Sequence, residues 1–240
     1  IKRVHETFAK DMINVYALTE TTWGGVTFLS PEDHRRALTD KPELLKSVGR
    51  VASHFEISIR DEDGEPVETG EPGEIWLRGP TIMAHYLNLP EQTEEVLREG
   101  WLRTNDVGRL DEDGYVYLLD RQKFMIVSGG VNVYPAAVEA ILVKHPGVAD
   151  VCVVGVPHPE WGEAVVAVVR KDEGHENLTG GDLIEFCRDK LNRPSTPKHF
   201  VFVEDDFPRT TNFKVRKKEV QAYVMSDEGG LPWDCSEGAG

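Results

Sequence analysis

The residues with chemistry to offer fall at loop positions. Thr19-Glu20 close a short apolar run, and Thr104-Asn105-Asp106 lie within a hairpin region. Arg121 and Lys123 belong to the charged tetrapeptide Asp120-Arg121-Gln122-Lys123, and Lys214 ends the loop Pro208-Arg209-Thr210-Thr211-Asn212-Phe213-Lys214. Ser128-Gly129-Gly130 follow the strand-like run Phe124–Val127, and Pro135 opens a helical pattern, where its missing N–H costs nothing. The glycine pair permits positive φ and a close backbone approach to a ligand. Taken singly, each polar residue reads as a surface residue. The stretch Asp120–Pro135 reads either as an ordinary strand–loop–helix connection or as a joint between two packed units.

Several chemistries are not supported. There is no GxxxxGK[ST] phosphate loop and no GxSxG elbow, and no serine or cysteine is paired with a base in a recognisable order. The eight histidines lack metal-ligand spacing. Asp-Glu-Asp-Gly occurs at 61–64 and 111–114, but neither copy has the twelfth-position glutamate of a calcium loop, so both read as solvated hairpin turns. With 27 basic against 42 acidic residues the formal charge is −15, which argues against a general nucleic-acid or anionic-membrane binder. A polyanion such as a nucleotide would need locally placed cations or a metal. Cys152, Cys187 and Cys235 are odd in number and widely spaced, which suggests a reducing, cytoplasmic setting without disulfides or structural zinc. No apolar run reaches the length of a membrane span. The first residue, Ile1, hints at a cut from something longer.

The elements that must position these residues are legible from periodicity. A short helical pattern opens residues 1–20, then Met12–Tyr16 reads as a small strand, with a small-residue turn over Thr21–Gly25. Ser30-Pro31-Glu32-Asp33 caps a helix. From Ser47 to Leu119, strands at Phe55–Arg60, Gly73–Leu77, Trp101–Leu110 and Tyr115–Leu119, with a helix at Pro90–Leu97, predict a small antiparallel sheet or barrel. Beyond Asp120 the pattern is mixed α and β: a helix from Pro135 to about His145, apolar strands at Val148–Val156 and Ala164–Val169, a helix at Thr179–Leu191, a strand at His199–Val203 and a helix at Val215–Met225. The expected class is α/β in the mixed α+β sense, with residues 1–120 and 121–225 as domains and 226–240 as a disordered tail.

Order and spacing carry more than any single motif. Tyr16-Ala17-Leu18-Thr19-Glu20, Gly73-Glu74-Ile75 with Gly79, Trp101–Asp106, Asp120-Arg121-Gln122-Lys123, Trp161-Gly162-Glu163 and Pro208-Arg209-Thr210 to Lys214 follow one another along the chain. In that order they resemble the C-terminal half of the adenylate-forming (AMP-binding) superfamily, and Ser128-Gly129-Gly130 with Asn132-Val133-Tyr134-Pro135 look most like its acyl- or aryl-CoA ligase branch. The resemblance implies ATP, Mg²⁺ and coenzyme A as reactants, with a small carboxylic acid as substrate. It assigns Glu20 to Mg²⁺, Thr19 to phosphate, Tyr16 to the adenine, and Asp106 and Arg121 to the ribose. Lys214 would bridge the carboxylate and the α-phosphate, Lys123 would be the hinge, and Ser128, Gly129 and Gly130 would line the CoA channel.

The sequence departs from the family pattern at Ala17, Asn105, Phe124 and Phe213, the last standing where a glycine normally precedes the catalytic lysine. The family's Ser/Thr/Gly-rich phosphate loop would lie upstream. The expectation is therefore the end of a large domain plus a small mobile one, with the N-terminal part of the polypeptide missing and the isolated chain inactive. The other readings are an adenylation domain that loads a carrier protein and a non-catalytic degenerate binding module.

Overall fold

Two compact units follow one another, Ile1–Gln122 and Lys123–Gly240. The computed structural model describes residues 7, 11–22 and 24–232; the helical pattern before Asp11 (Thr7 apart), Trp23 of the expected turn, and Cys235 lie outside them.

Unit one contains β1 (Asn14–Tyr16), β2 (Thr27–Leu29), α1 (Pro31–Thr39), β3 (Gly49–Val51), β4 (Glu56–Arg60), β5 (Gly73–Arg78), α2 (Pro90–Val96), β6 (Leu97–Arg98), β7 (Trp101–Leu110) and β8 (Tyr115–Arg121). They form one antiparallel sheet of order β1-β2-β3-β8-β7-β5-β4, with β6 paired to β7. Side chains alternate across it, as strand geometry requires. On β8, Val116 joins a core with Ile75, Leu77 and Leu102, while Tyr115 and Tyr117 pack with Leu29, Ala37 and Leu44. Ser30 caps α1 reciprocally: its Oγ accepts from the Asp33 N–H, and the Asp33 carboxylate accepts from the Ser30 N–H. Both acidic tetrapeptides are turns with left-handed glycines, Gly64 at φ +88° and Gly114 at φ +80°.

Unit two contains β9 (Ile126–Ser128), β10 (Val131–Val133), α3 (Pro135–Leu142), β11 (Val148–His158), β12 (Gly162–Lys171), α4 (Gly180–Cys187), β13 (His199–Val203) and α5 (Lys217–Val224). The sheet order is β10-β9-β12-β11, with β13 parallel to β12. The near-continuous apolar runs of β11 and β12 are explained by burial on both faces. Val151 and Val153 face one core with Val138, Leu142 and Leu183, whereas Cys152, Val154 and Val156 face a second with Val220 and Val224. The outer edge of β11 is occupied by side chains: Glu139 accepts the Val153 N–H at 2.8 Å, and Gln221 donates to the Gly155 carbonyl at 2.7 Å. Such cover satisfies a strand edge that would otherwise invite pairing with another chain. Of the segment expected as a disordered tail, Asp227–Gly229 form a 3₁₀ turn and Leu231 packs against the second core, while 233–240 lie outside the described residues.

Candidate active site

Asp106 lies on β7, opposite Arg121 at the end of β8. Its placement is built from the Thr-Asn-Asp segment outwards. Thr104 Oγ1 donates to the Ile75 carbonyl at 2.7 Å and accepts the Asp106 N–H at 3.1 Å. Asn105 takes φ +57°, a left-handed geometry that asparagine tolerates better than most residues do. Its N–H donates to Glu74 Oε1 at 3.1 Å, while Glu74 Oε2 accepts from the Trp76 indole at 2.9 Å and from Arg103 Nε at 3.0 Å. Glu74 is thus a buried carboxylate whose partners fix the backbone one residue before Asp106. Both oxygens of Asp106 are engaged: Tyr16 Oη donates to Oδ2 at 2.7 Å, and Arg121 Nε lies 3.0 Å from Oδ1. Burial, then the Asp106 charge and hydrogen bond, push the Tyr16 phenol far above its usual value. A carboxylate has about four acceptor positions, so sites remain for two further donors.

Glu20 follows β1 by four residues, in the 3₁₀ turn Thr19–Thr21. Thr21 closes that turn, its Oγ1 donating to the Leu18 carbonyl at 2.9 Å. The segment after Gly79 ties the turn down from the side. Met83 N–H donates to the Glu20 carbonyl at 2.7 Å, Thr22 Oγ1 to the Thr81 carbonyl at 3.0 Å, and Tyr86 Oη to Glu20 Oε1 at 2.7 Å. Gly24 is required there, since an added Cβ would lie 2.3 Å from Thr81 Oγ1. Burial, then the Glu20 hydrogen bond, push the Tyr86 phenol up to about 12, which keeps it a donor. Thr19 is exposed. Among the described residues no group of three or more His, Cys, Asp or Glu could hold a metal. A single carboxylate with one oxygen already oriented still suits a hard cation that takes its other ligands from phosphate and water.

In unit two, Ser128-Gly129-Gly130-Val131 form a two-residue hairpin, with Gly129 at φ +60° and Gly130 at φ +77°. Both central residues of this turn type need the left-handed region. The Gly129 N–H donates to the Trp161 carbonyl at 2.8 Å, and Glu163 Oε2 accepts the Val127 N–H at 2.7 Å. Ser128 is fully buried, and its hydroxyl has no hydrogen-bond partner among the described residues. What the hairpin exposes is therefore the backbone of the two glycines. Lys123 is exposed, with its ammonium 5.0 Å from the centroid of the Phe124 ring.

Lys214 lies in a separate hairpin whose flanks, Arg209 and Val215, pair as a bridge. No ion pair among the described residues engages its exposed ammonium. Arg209 binds Asp150 at the start of β11, whereas the glycine hairpin is tied through Ser128–Gly162 to the other end of the same ladder, at His158. Eight residues of strand at roughly 3.3 Å each separate the two anchor points by about 26 Å.

Residues 1–87 match the profile described as "AMP-binding enzyme", and residues 137–214 match "AMP-binding enzyme C-terminal domain". The chain belongs to the adenylate-forming, AMP-binding enzyme superfamily. Among curated members, a long-chain-fatty-acid–CoA ligase of Mycobacterium tuberculosis is 37% identical over 207 residues, covering 86% of this chain and 39% of that protein. Among solved structures, the amide bond synthetase McbA from Marinactinospora thermotolerans superposes with a TM-score of 0.80 at 38% identity, covering 92% of this chain and 43% of that one. The o-succinylbenzoate CoA synthetase MenE from Bacillus subtilis, in complex with the acyl-adenylate intermediate OSB-AMP, gives 0.79 at 32% identity, covering 92% and 43%. MenE has also been solved with ATP and a magnesium ion. The chain thus spans about two fifths of the length of the AMP-binding enzymes it matches.

Of the expected site residues, the structure brings Tyr16, Asp106 and Arg121 together and sets Thr19 and Glu20 on the turn just beyond Tyr16, all in unit one. Lys123, Ser128, Gly129, Gly130 and Lys214 belong to unit two, where Lys214 and the glycine pair stand apart. Tyr16, the residue the resemblance sets against the adenine, is buried and donates its hydroxyl to Asp106. Two carboxylate-orienting contacts went unread, Tyr86 on Glu20 and Glu74 on the Asn105 backbone. Their partners are 66 and 31 residues away, and no spacing rule links them.

Proposed function

We propose that the chain is the C-terminal part of an ATP-dependent acyl-CoA ligase of the cytoplasm, working with an N-terminal part of the same polypeptide. The enzyme would convert a carboxylic acid and ATP to an acyl-adenylate and pyrophosphate. The CoA thiol would then displace AMP to give the thioester. The observation that carries this reading is the buried Asp106 carboxylate, held by Tyr16 and Arg121 beside the turn that presents Glu20. In it Asp106 accepts hydrogen bonds from the ribose hydroxyls through its remaining acceptor positions, and Arg121 adds a second ribose contact. Thr19 meets phosphate. Glu20 would hold Mg²⁺, whose bound charge would neutralise the phosphate oxygens.

Lys214 acts in the first half-reaction as a positioned point charge between the carboxylate and the α-phosphate. The Gly129-Gly130 backbone serves the second, along the pantetheine arm, with buried Ser128 supporting the turn rather than touching the ligand. Separation of these two features along one ladder supports alternation, because a single orientation of unit two cannot offer both to one reacting centre. Lys123, beside the sequence boundary between the units, would be the pivot. The deciding experiment is acid-dependent pyrophosphate release from ATP by the complete polypeptide over a panel of fatty and aryl acids. Thioester formation with CoA should follow, and no release with any acid would overturn the reading. The likeness to McbA favours one second reading, transfer of the acyl group to an amine; amide in place of thioester would identify it.

A further inference from the structure

Glu20 is the carboxylate on which the proposed nucleotide site depends, and it stands on a three-residue turn. A turn that short fixes the backbone of Glu20 but not its side chain, which has three rotatable bonds. Something else must aim it. Three hydrogen bonds join the segment 81–86 to this turn: the Thr22 hydroxyl donates to the Thr81 carbonyl, the Met83 N–H to the Glu20 carbonyl and the Tyr86 hydroxyl to the Glu20 carboxylate. Only the last, from Tyr86 Oη to Oε1 at 2.7 Å, bears on the side chain. Tyr86 is itself anchored, since its N–H donates to Thr93 Oγ1 at 3.0 Å and Thr93 Oγ1 donates to the Leu89 carbonyl at 2.8 Å. The donor thus comes from a segment braced at the start of α2, not from a free loop.

The geometry points to Tyr86 as the positioning residue for Glu20: its hydroxyl holds Oε1 and thereby aims Oε2 at the divalent cation that accompanies ATP. This rests on the proposed nucleotide site. The consequences follow from how outer partners act on a ligating carboxylate. A fixed carboxylate loses little rotamer freedom when it takes up a cation, and a neutral phenol leaves its full negative charge available. Removing such a partner costs roughly 10–100-fold in metal affinity. Tyr86 touches neither substrate nor cation in this scheme, and all of its effect passes through Glu20.

The test is Mn²⁺ binding to the complete polypeptide in the presence of ATP, read by electron paramagnetic resonance. It is paired with ATP affinity in the absence of divalent cation, read by calorimetry. Y86F should weaken Mn²⁺ binding by roughly 10–100-fold, and leave metal-free ATP affinity within about twofold. In an E20Q background the same change should have no further effect, because a positioning residue has nothing left to position. Y86L should match Y86F; a loss with Y86L alone would mean that ring packing, not the hydroxyl, matters, and would overturn the proposal. So would unchanged Mn²⁺ affinity in Y86F while E20Q is impaired, which leaves the nucleotide-site reading intact. If E20Q too binds Mn²⁺–ATP as the unaltered protein does, the nucleotide-site reading itself fails.

Discussion

Replacing Phe213 by glycine should stabilise this protein, although glycine usually weakens a fold. Three tight turns share one hydrogen-bond pattern. In Asp61–Glu65, Asp111–Tyr115 and Thr210–Lys214 the first N–H donates to the fifth carbonyl at 2.9, 3.0 and 2.8 Å, and the fourth N–H donates to the first carbonyl at 3.2, 3.0 and 2.9 Å. That pattern is a tight turn closed by a left-handed residue at its fourth position. The residues there are Gly64 at φ +88°, Gly114 at φ +80° and Phe213 at φ +61°. Glycine takes this geometry freely, whereas a side chain costs about 1–2 kcal/mol.

Phe213 is 81% exposed, so its ring returns little burial energy. Glycine's extra freedom in the unfolded chain takes back roughly 0.5–1 kcal/mol. The net expectation for F213G is a gain of about 1 kcal/mol, or roughly 4 °C in melting temperature. Gly114 provides the mirror experiment, because a Cβ added there meets nothing within 4 Å. G114F should therefore lose about 1 kcal/mol, the same strain less the same unfolded-state offset. Urea denaturation of both variants is the assay. A neutral or destabilised F213G, alongside a destabilised G114F, would refute the strain argument and mean that the Phe213 side chain makes a stabilising contact.

Three further outcomes follow from buried groups. E74A should cost about 3 kcal/mol in urea denaturation, since it strips the acceptor from Arg103, the Trp76 indole and the Asn105 N–H at once; E74Q, which keeps one acceptor, should cost less. The Tyr117 phenol is pushed up to about 12 by burial and by its hydrogen bond to Asp111, from an ordinary value near 10. A raised folded value means stability that is whole below about pH 10 and lost as pH rises towards 12; ultraviolet titration of phenolate should show late-ionising tyrosines, and unfolding should begin in that window. Cys152 is buried, and burial followed by the Glu139 charge pushes its thiol up to about 12. Cys152 and Cys187 should therefore resist a thiol reagent at pH 8 in the native state and react once the chain is unfolded; native labelling of Cys152 would contradict its placement.

Long strands were legible because their alternation or apolar continuity runs for many residues. Gly73–Arg78, Trp101–Leu110 and β11 and β12 all appeared within a few residues of their observed ends. Thr27–Leu29, Gly49–Val51 and Val131–Val133 did not, since three residues carry no periodicity and are strands only by virtue of their neighbours. The helix expected over Thr179–Leu191 is Gly180–Cys187, yet Leu183 and Cys187 do face the core and Phe186 and Leu191 pack beside it. Lys190 is exposed and lies over the Phe186 ring.

Residue types and order singled out Asp106, Glu20 and Lys214 as candidates, and the left-handed Asn105 followed from its chemistry. The orienting partners did not follow. Tyr86 and Glu74 meet their targets only because strands and loops distant in sequence converge, and a side-chain contact across 66 residues leaves no mark on local spacing. The Tyr16–Asp106 hydrogen bond was not legible for the same reason, its partners being 90 residues apart.

The central claim, that Lys214 and the glycine hairpin serve different half-reactions, is tested most directly by separating them in the complete polypeptide. Acid-dependent pyrophosphate release reads the first half, and thioester formation from supplied acyl-adenylate and CoA reads the second. K214A should lower the first by roughly 10²–10³-fold and leave the second nearly intact. G130L, at a position where an added Cβ meets nothing within 4 Å and where φ +77° costs the fold about 1–2 kcal/mol, should do the reverse once shown to be folded. Equal loss of both halves in both variants would contradict the account.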